Sequence, residues 1–202
     1  MNFNNVANTW DTERRIKRAK IISDFISERA KLHSDMSVFE FGCGTGLISF
    51  NLYPLVKSII GYDNSEKMLD VFNQKIKDLN LNTIKSTNNL MTYANQIDCV
   101  ISSMVFHHIL DIKTQLIELS KILKIGGQLF IVDLDQEDGS FHKDEIDFIG
   151  HNGFDRDEFS DVLKSINFEI IEVGTVLSDV KRINDRDVPY SLFYIKARKK
   201  YD

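Results

Sequence analysis

Three glycines at alternate positions, Gly42, Gly44 and Gly46, interrupt a chain that is apolar on both sides of them, with Val38-Phe39-Glu40-Phe41 before and Leu47-Ile48 after. Glycine lacks a Cβ and tolerates positive φ, so such a turn can lay bare backbone against a ligand. Where a strand enters and a helix leaves, the unpaired N–H groups of the helix start point at the same ligand. A carboxylate, Asp63, closes the next apolar run, Val56 to Tyr62. Just past a neighbouring parallel strand, such a group can accept hydrogen bonds from both hydroxyls of a ribose, each worth about 1.5–3 kcal/mol. A third run, Ile97 to Ser102, delivers Ser103 and the pair His107-His108 to the same end of a sheet. Asp135 and His142 follow a further run, Gln128 to Leu134. These are groups able to take a proton from a bound molecule.

The glycine spacing narrows the ligand. The dinucleotide pattern G-x-G-x-x-G needs a glycine where Leu47 stands, and no Gly-Lys-Ser/Thr follows to make a phosphate loop. The stretch Glu40-x-Gly42-x-Gly44-x-Gly46 instead resembles the first motif of the class I S-adenosylmethionine (SAM)-dependent methyltransferases. Gly61-Tyr62-Asp63-Asn64-Ser65, with Met68-Leu69 after it, resembles the second motif of that family. Asp98-x-x-x-Ser102, with His107-His108-Ile109 and Asp111, is similar to the fourth motif in members that act on small molecules. The resemblance runs from about Trp10 to about Ala197. It implies a three-layer α/β Rossmann-like fold, with a seven-stranded, mostly parallel sheet, a reversed last strand and helices on both faces. It implies SAM as cofactor, with S-adenosylhomocysteine (SAH) as product. The loop of Glu40, Gly42, Cys43, Gly44 and Gly46 would take the methionine moiety, Asp63 the ribose, and Met68 would border the adenine, with Asn64 a further cofactor-binding residue. Trp10-Asp11 looks like the aromatic-Asp pair that folds over the cofactor in many members, and Ser103 stands where the methyl donor is expected. The family commonly places an Asp past the third strand, for the adenine amino group. This chain has Thr87-Asn88-Asn89, and an Asn side chain can still accept from that group and donate to a ring nitrogen.

Simpler readings compete with these. A glycine turn can be purely structural, an acid at Asp63 can be a helix cap, and Met68 can be core. Adjacent histidines diverge on a helix, and no third residue stands at zinc spacing, so no metal site is expected. One histidine is expected beneath the cofactor and the other as a cap for the next helix. If the acceptor needs a base, His142, His107 and Asp135 are the candidates, in that order.

Periodicity supplies the elements that must hold these groups. Ile16, Ala19, Ile22, Phe25, Ile26 and Ala30 mark a helix over about 12–33, capped by Thr9 or Asp11. Further helices are expected over 65–79, 111–123 and 155–166. Strands are expected at 37–41, 56–63, 83–86, 97–102, 128–134, 168–176 and 190–197. Lys124-Ile125-Gly126-Gly127 reads as a helix end and turn, and 177–189 as a charged connection. The acidic, histidine-bearing stretch after Leu134 is where an acceptor pocket or lid would be built.

The chain has 202 residues, 43% hydrophobic, with a net charge of −5. That suits one α/β domain: a cap and helix over 1–35, a cofactor-binding half over 36–135 and an acceptor side over 136–202. Acidity gives no case for nucleic acid, and the basic runs Arg14–Arg18 and Lys196–Lys200 read as a solvated helix face and a tail. Two cysteines without metal spacing, no apolar leader and no run of membrane-spanning length place the chain in the cytoplasm, off the membrane. Oligomeric state is not legible. The expected activity is methyl transfer from SAM to a small-molecule acceptor. The alternatives are a non-catalytic SAM- or SAH-binding regulatory or assembly domain and, disfavoured by Leu47 and the reversed strand, a nicotinamide oxidoreductase.

Overall fold

The computed structural model describes residues 3–145 and 148–201. In chain order the elements are α1 (Phe3–Val6), α2 (Glu13–Ala30), β1 (Ser37–Phe41), α3 (Ser49–Leu52), β2 (Ser58–Tyr62), α4 (Glu66–Asp78), β3 (Ile84–Thr87), β4 (Ile97–Ser103), α5 (Ile112–Ile122), β5 (Leu123–Leu134), α6 (Arg156–Ser165), β6 (Phe168–Ile183) and β7 (Arg186–Lys199). The strands form one seven-stranded sheet in the order β3-β2-β1-β4-β5-β7-β6. β1 to β5 pair in parallel, and β7 runs antiparallel to both β5 and β6. This is the Rossmann-like arrangement expected, with its reversed last strand.

Successive side chains of a strand face opposite sides of the sheet. Val38, Ile59 and Cys99 pack with Ile22 and Ile26 of α2, Leu52 of α3 and Phe72 of α4. Phe39, Ile60 and Val100 pack on the other side with Leu116 and Leu119 of α5 and Phe159 and Leu163 of α6. Burial on both faces is why these strands read as unbroken apolar runs. Caps fix the helix starts: Thr12 accepts from the Arg15 N–H, Ser65 from Met68, Asp111 from Thr114 and Asp155 from Asp157 and Glu158. α2 is thus capped by Thr12 rather than Thr9 or Asp11, and Asp111, not a histidine, caps α5.

Two segments differ from expectation. β5 starts at Leu123, straight after α5, and pairing jumps from Ile97↔Leu123 to Cys99↔Gln128. Gly126, at φ +77, and Gly127 therefore lie in a bulge of the strand rather than in a helix cap. The expected connection over 177–189 is a β-ribbon. β6 runs on to Ile183 and returns as β7 through Asn184-Asp185, both at positive φ. That is the turn a two-residue hairpin prefers. The ribbon is largely solvated, so its strands carry charges where a buried strand would show alternation.

Candidate active site

The carboxyl ends of β1, β2 and β4 converge on a cavity of about 310 Å³. The backbone from Glu40 to Thr45 forms its floor, with Tyr62 to Ser65, Met68, Ser103 to Val105 and His108 around it. Gly42 is at φ +75, and a Cβ there would lie 2.3 Å from Val105 Cγ2. Its N–H and that of Cys43 both donate to the Tyr62 carbonyl at 2.8 Å, which ties the turn to the end of β2. At Gly44 a Cβ would meet only Trp10 Nε1, at 3.8 Å, so this backbone stands open to the cavity. Gly46 differs. It lies outside the lining, and a Cβ would strike Phe50 and Phe72 within 2.7 Å. It is the glycine that lets the turn pack on α4.

Two carboxyls bracket the turn. Asp63 accepts from the Gly44 N–H with one oxygen and from the Ser65 N–H with the other, each at 2.8 Å. Burial raises its pKa while those bonds oppose the rise. Each oxygen has further acceptor capacity. Glu40 is buried and accepts from the backbone N–H of Ser49 at 3.0 Å and from the Ser49 hydroxyl. Burial pushes its carboxyl up to about 8. The Cys43 thiol is buried beside it and also pushed up, chiefly by burial. Tyr62 donates to Asn64 Oδ1 at 2.6 Å on the cavity rim. Asn88 and Asn89 stand outside the lining: Asn88 is exposed, and Asn89 caps the turn at Leu90–Tyr93 by accepting from the Met91 N–H. Tyr62, by contrast, is among the aromatic residues that line the cavity.

The N-terminal segment closes one side. Phe3 and Trp10 line the cavity. Asp11 accepts from the Thr45 hydroxyl and from Lys75 Nζ at 2.6 Å, and Lys75 also donates to the Thr45 carbonyl. The Trp10-Asp11 pair therefore divides its work: the ring faces the cavity and the carboxylate ties the segment to the glycine turn and α4. Met104 is a non-glycine residue at φ +61, held by its N–H to the Val132 carbonyl. Such local strain clusters at functional positions, and no sequence pattern announces it.

A second cavity of about 260 Å³ shares Phe3, Trp10, Arg15, Arg18, Met104 and His108 with the first. His107 and His142 stand on its far side. His107 is buried, its Nδ1 2.5 Å from Asp133 Oδ1, and the other oxygen of Asp133 takes the N–H groups of Val105 and Phe106. His142 Nδ1 meets Glu145 Oε1 at 2.9 Å, and its ring stacks on Phe148 at 3.8 Å. Among the described residues its Nε2 has no partner. His108, whose ring lies 4.1 Å from that of His107 and 5.7 Å from that of His142, is driven down to about 3 by burial and by the other two histidines. The third sequence candidate for a base is elsewhere. Asp135 forms a two-bond pair with Arg156, at 2.6 and 2.7 Å, and accepts from the Ser191 hydroxyl. It is not among the residues that line either cavity. Among the described residues, no group of three or more His, Cys, Asp or Glu is placed to hold a metal ion. Residues 146 and 147 of the expected acceptor stretch lie outside the described residues.

Arg15 and Arg18 correct the reading of the first basic run as a solvated face. Arg14 and Lys17 are exposed, but Arg15 and Arg18 are half-buried and line both cavities. The signal was their i, i+3 spacing in register with buried Ile22.

Comparison with known proteins agrees with this geometry. Residues 39–131 match the family described as a methyltransferase domain. A Schizosaccharomyces pombe protein named an uncharacterized methyltransferase is 35% identical over 158 residues, covering 69% of this chain and 56% of that protein. The ubiquinone biosynthesis O-methyltransferase of Pelagibacter ubique is 29% identical over 125 residues, 60% of this chain and 52% of that one. The chain thus spans about half the length of these curated relatives. The crystal structure of a SAM-dependent methyltransferase from Aquifex aeolicus superposes with a TM-score of 0.71 at 18% identity, covering 97% of this chain and 98% of that one. Motifs, sheet order, matched domain and relatives agree: residues 39–131 form a methyltransferase domain of the class I, SAM-dependent kind.

Proposed function

We propose that this protein transfers a methyl group from SAM to a small-molecule acceptor held in the second cavity. The observation that carries this is the pairing of open backbone at Gly44 with Asp63 in one cavity at the strand ends. The fit is chemical. Bare N–H groups suit the carboxylate of a methionine moiety, the free acceptor capacity of Asp63 suits ribose hydroxyls, and Tyr62 with Met68 offers an apolar border to adenine. Asn64, bonded to Tyr62, sits beside the ribose in this reading, and Trp10 covers the donor.

The donor brings a sulfonium methyl that is already activated, so the chain's work is positioning and exclusion of water. Phe3, Trp10 and Met104 wall the junction between the cavities. His142 takes the acceptor proton: among the described residues its Nε2 has no partner, and Glu145 fixes the ring through Nδ1. His107 is a positioning residue whose ring Asp133 holds, and His108 stays neutral as a wall. In this reading residues 1–35 form the cap, 36–135 the donor half and 136–202 the acceptor side. The net charge of −5 fits a small acceptor better than a nucleic acid.

Calorimetry with SAH tests the donor half. Asp63→Ala is expected to weaken SAH by at least about tenfold, or about 1.4 kcal/mol. Unchanged affinity rejects the ribose role. Stabilisation of the wild type by NADH and not by SAH rejects methyl transfer altogether.

A further inference from the structure

The second cavity has an uneven charge. Arg14, Arg15, Arg18 and Lys181 line it, and among the described residues Glu145 is the one carboxylate that does. Two of these cations are engaged. Arg14 donates to the Val180 carbonyl at 2.7 Å and meets Asp179 at 3.3 Å. Lys181 donates to the Phe141 carbonyl at 2.7 Å and meets Asp144 at 3.2 Å. Arg15 and Arg18 are different. Arg15 lies over the Trp10 ring at 3.8 Å and donates to the Trp10 carbonyl at 3.2 Å, contacts that aim it without neutralising it. Among the described residues no carboxylate lies within ion-pair distance of Arg15 or Arg18. Glu145 and Asp11 attract Arg15 only from a distance, and each is committed elsewhere, Glu145 to His142 and Asp11 to Lys75. Burial and neighbouring Arg18 both hold the Arg15 pKa below its ordinary value, the mark of crowded, partly dehydrated cations.

The methyl donor does not restore the balance. Its amino-acid end carries one carboxylate and one ammonium, and the sulfonium adds a further positive charge. Loading the first cavity therefore makes the junction more positive, which favours an acceptor that brings negative charge with it.

We propose that the acceptor carries an anionic group, a carboxylate or a phosphate, seated against Arg15 and Arg18 where the two cavities meet. This rests on the methyl-transfer reading. It makes the two arginines specificity-determining residues, with the anion at one end of the acceptor and the atom to be methylated at the other, toward His142. A planar guanidinium suits either anion through paired N–H donors.

The test uses the full chain saturated with SAH and titrated by calorimetry with matched probes: benzoate and 4-hydroxybenzoate against their methyl esters, and phenyl phosphate against phenol. At least one anion is expected to bind ten times more tightly than its neutral partner, and which anion does so separates carboxylate from phosphate. Arg18→Met and Arg15→Met, checked for folding by circular dichroism, are each expected to erase most of that preference, and Arg18→Lys to keep part of it. Their loss of SAH affinity should be smaller than their loss of anion affinity. Three results would overturn the inference: no anion binding to the SAH complex, anions and neutral partners binding alike, or variants that lose SAH affinity while keeping the anion preference. The last assigns both arginines to the donor's own carboxylate. If the wild type binds no SAH, the methyl-transfer reading fails first, and that is seen before any probe is added.

Discussion

Glu40 lies beneath the glycine turn with its carboxyl buried and bonded to Ser49, and its folded pKa of about 8 stands well above the ordinary 4.5. Between those two values the folded chain keeps a proton that the unfolded chain has lost. Stability contributed at this site therefore falls as pH rises through that window. Glu40→Gln removes the slope. Urea unfolding at about pH 5 and about pH 8.5 should show the variant gaining on the wild type at the higher pH; an equal difference at both means the carboxyl is ionised throughout. At this scale the sequence was readable where chemistry demands one residue type. Only glycine suits the φ and the Val105 contact at Gly42, and an acid at a strand end stands out at Asp63. It was not readable where residue type allows several uses. Arg15 and Arg18 look like surface charge until the helix places them, and Asp135 looks like a base until Arg156 takes it.

The N-terminal segment is tied to the body of the molecule at a few identifiable points. Its hold on the rest includes Asn4 with Ser65, and Asp11 with Thr45 and Lys75. The Asp11–Lys75 pair is partly buried and contributes on the order of 1 kcal/mol. Asp11→Ala should lower the melting temperature by only a few degrees while raising the rate of proteolytic cleavage between residues 3 and 12 several-fold. Equal cleavage rates would mean that the aromatic contacts of Phe3 and Trp10 hold the segment unaided. Most helices and strands were legible to within a few residues, because burial on one stripe or on two faces leaves a period in the sequence. The β6–β7 ribbon and the start of β5 were not. Solvated strands have no apolar period, and Gly126-Gly127 serves a bulge as well as a helix end. The remaining clue to the ribbon was Asn184-Asp185, a pair that tolerates positive φ.

For the whole molecule, a ligand that bridges β1, β2 and the N-terminal segment binds only the folded state. SAH at a hundred times its dissociation constant should add about 2.7 kcal/mol of stability, raising the melting temperature by roughly 5–10 °C in a chain of this size. A shift under a degree at saturation would mean that SAH is not bound by the native fold. The topology was legible from the order of apolar runs and the family motifs, because parallel strands joined by helices leave few arrangements of the sheet. Strand order has one more effect, on how the protein is made. β6 reaches the sheet only through β7, which is synthesised after it. A ribosome adding roughly 5–20 residues per second therefore releases an outer strand whose neighbour is still being translated. For a second or more that strand waits with bare edges, open to chaperones or to a second nascent chain, until its late partner slides in.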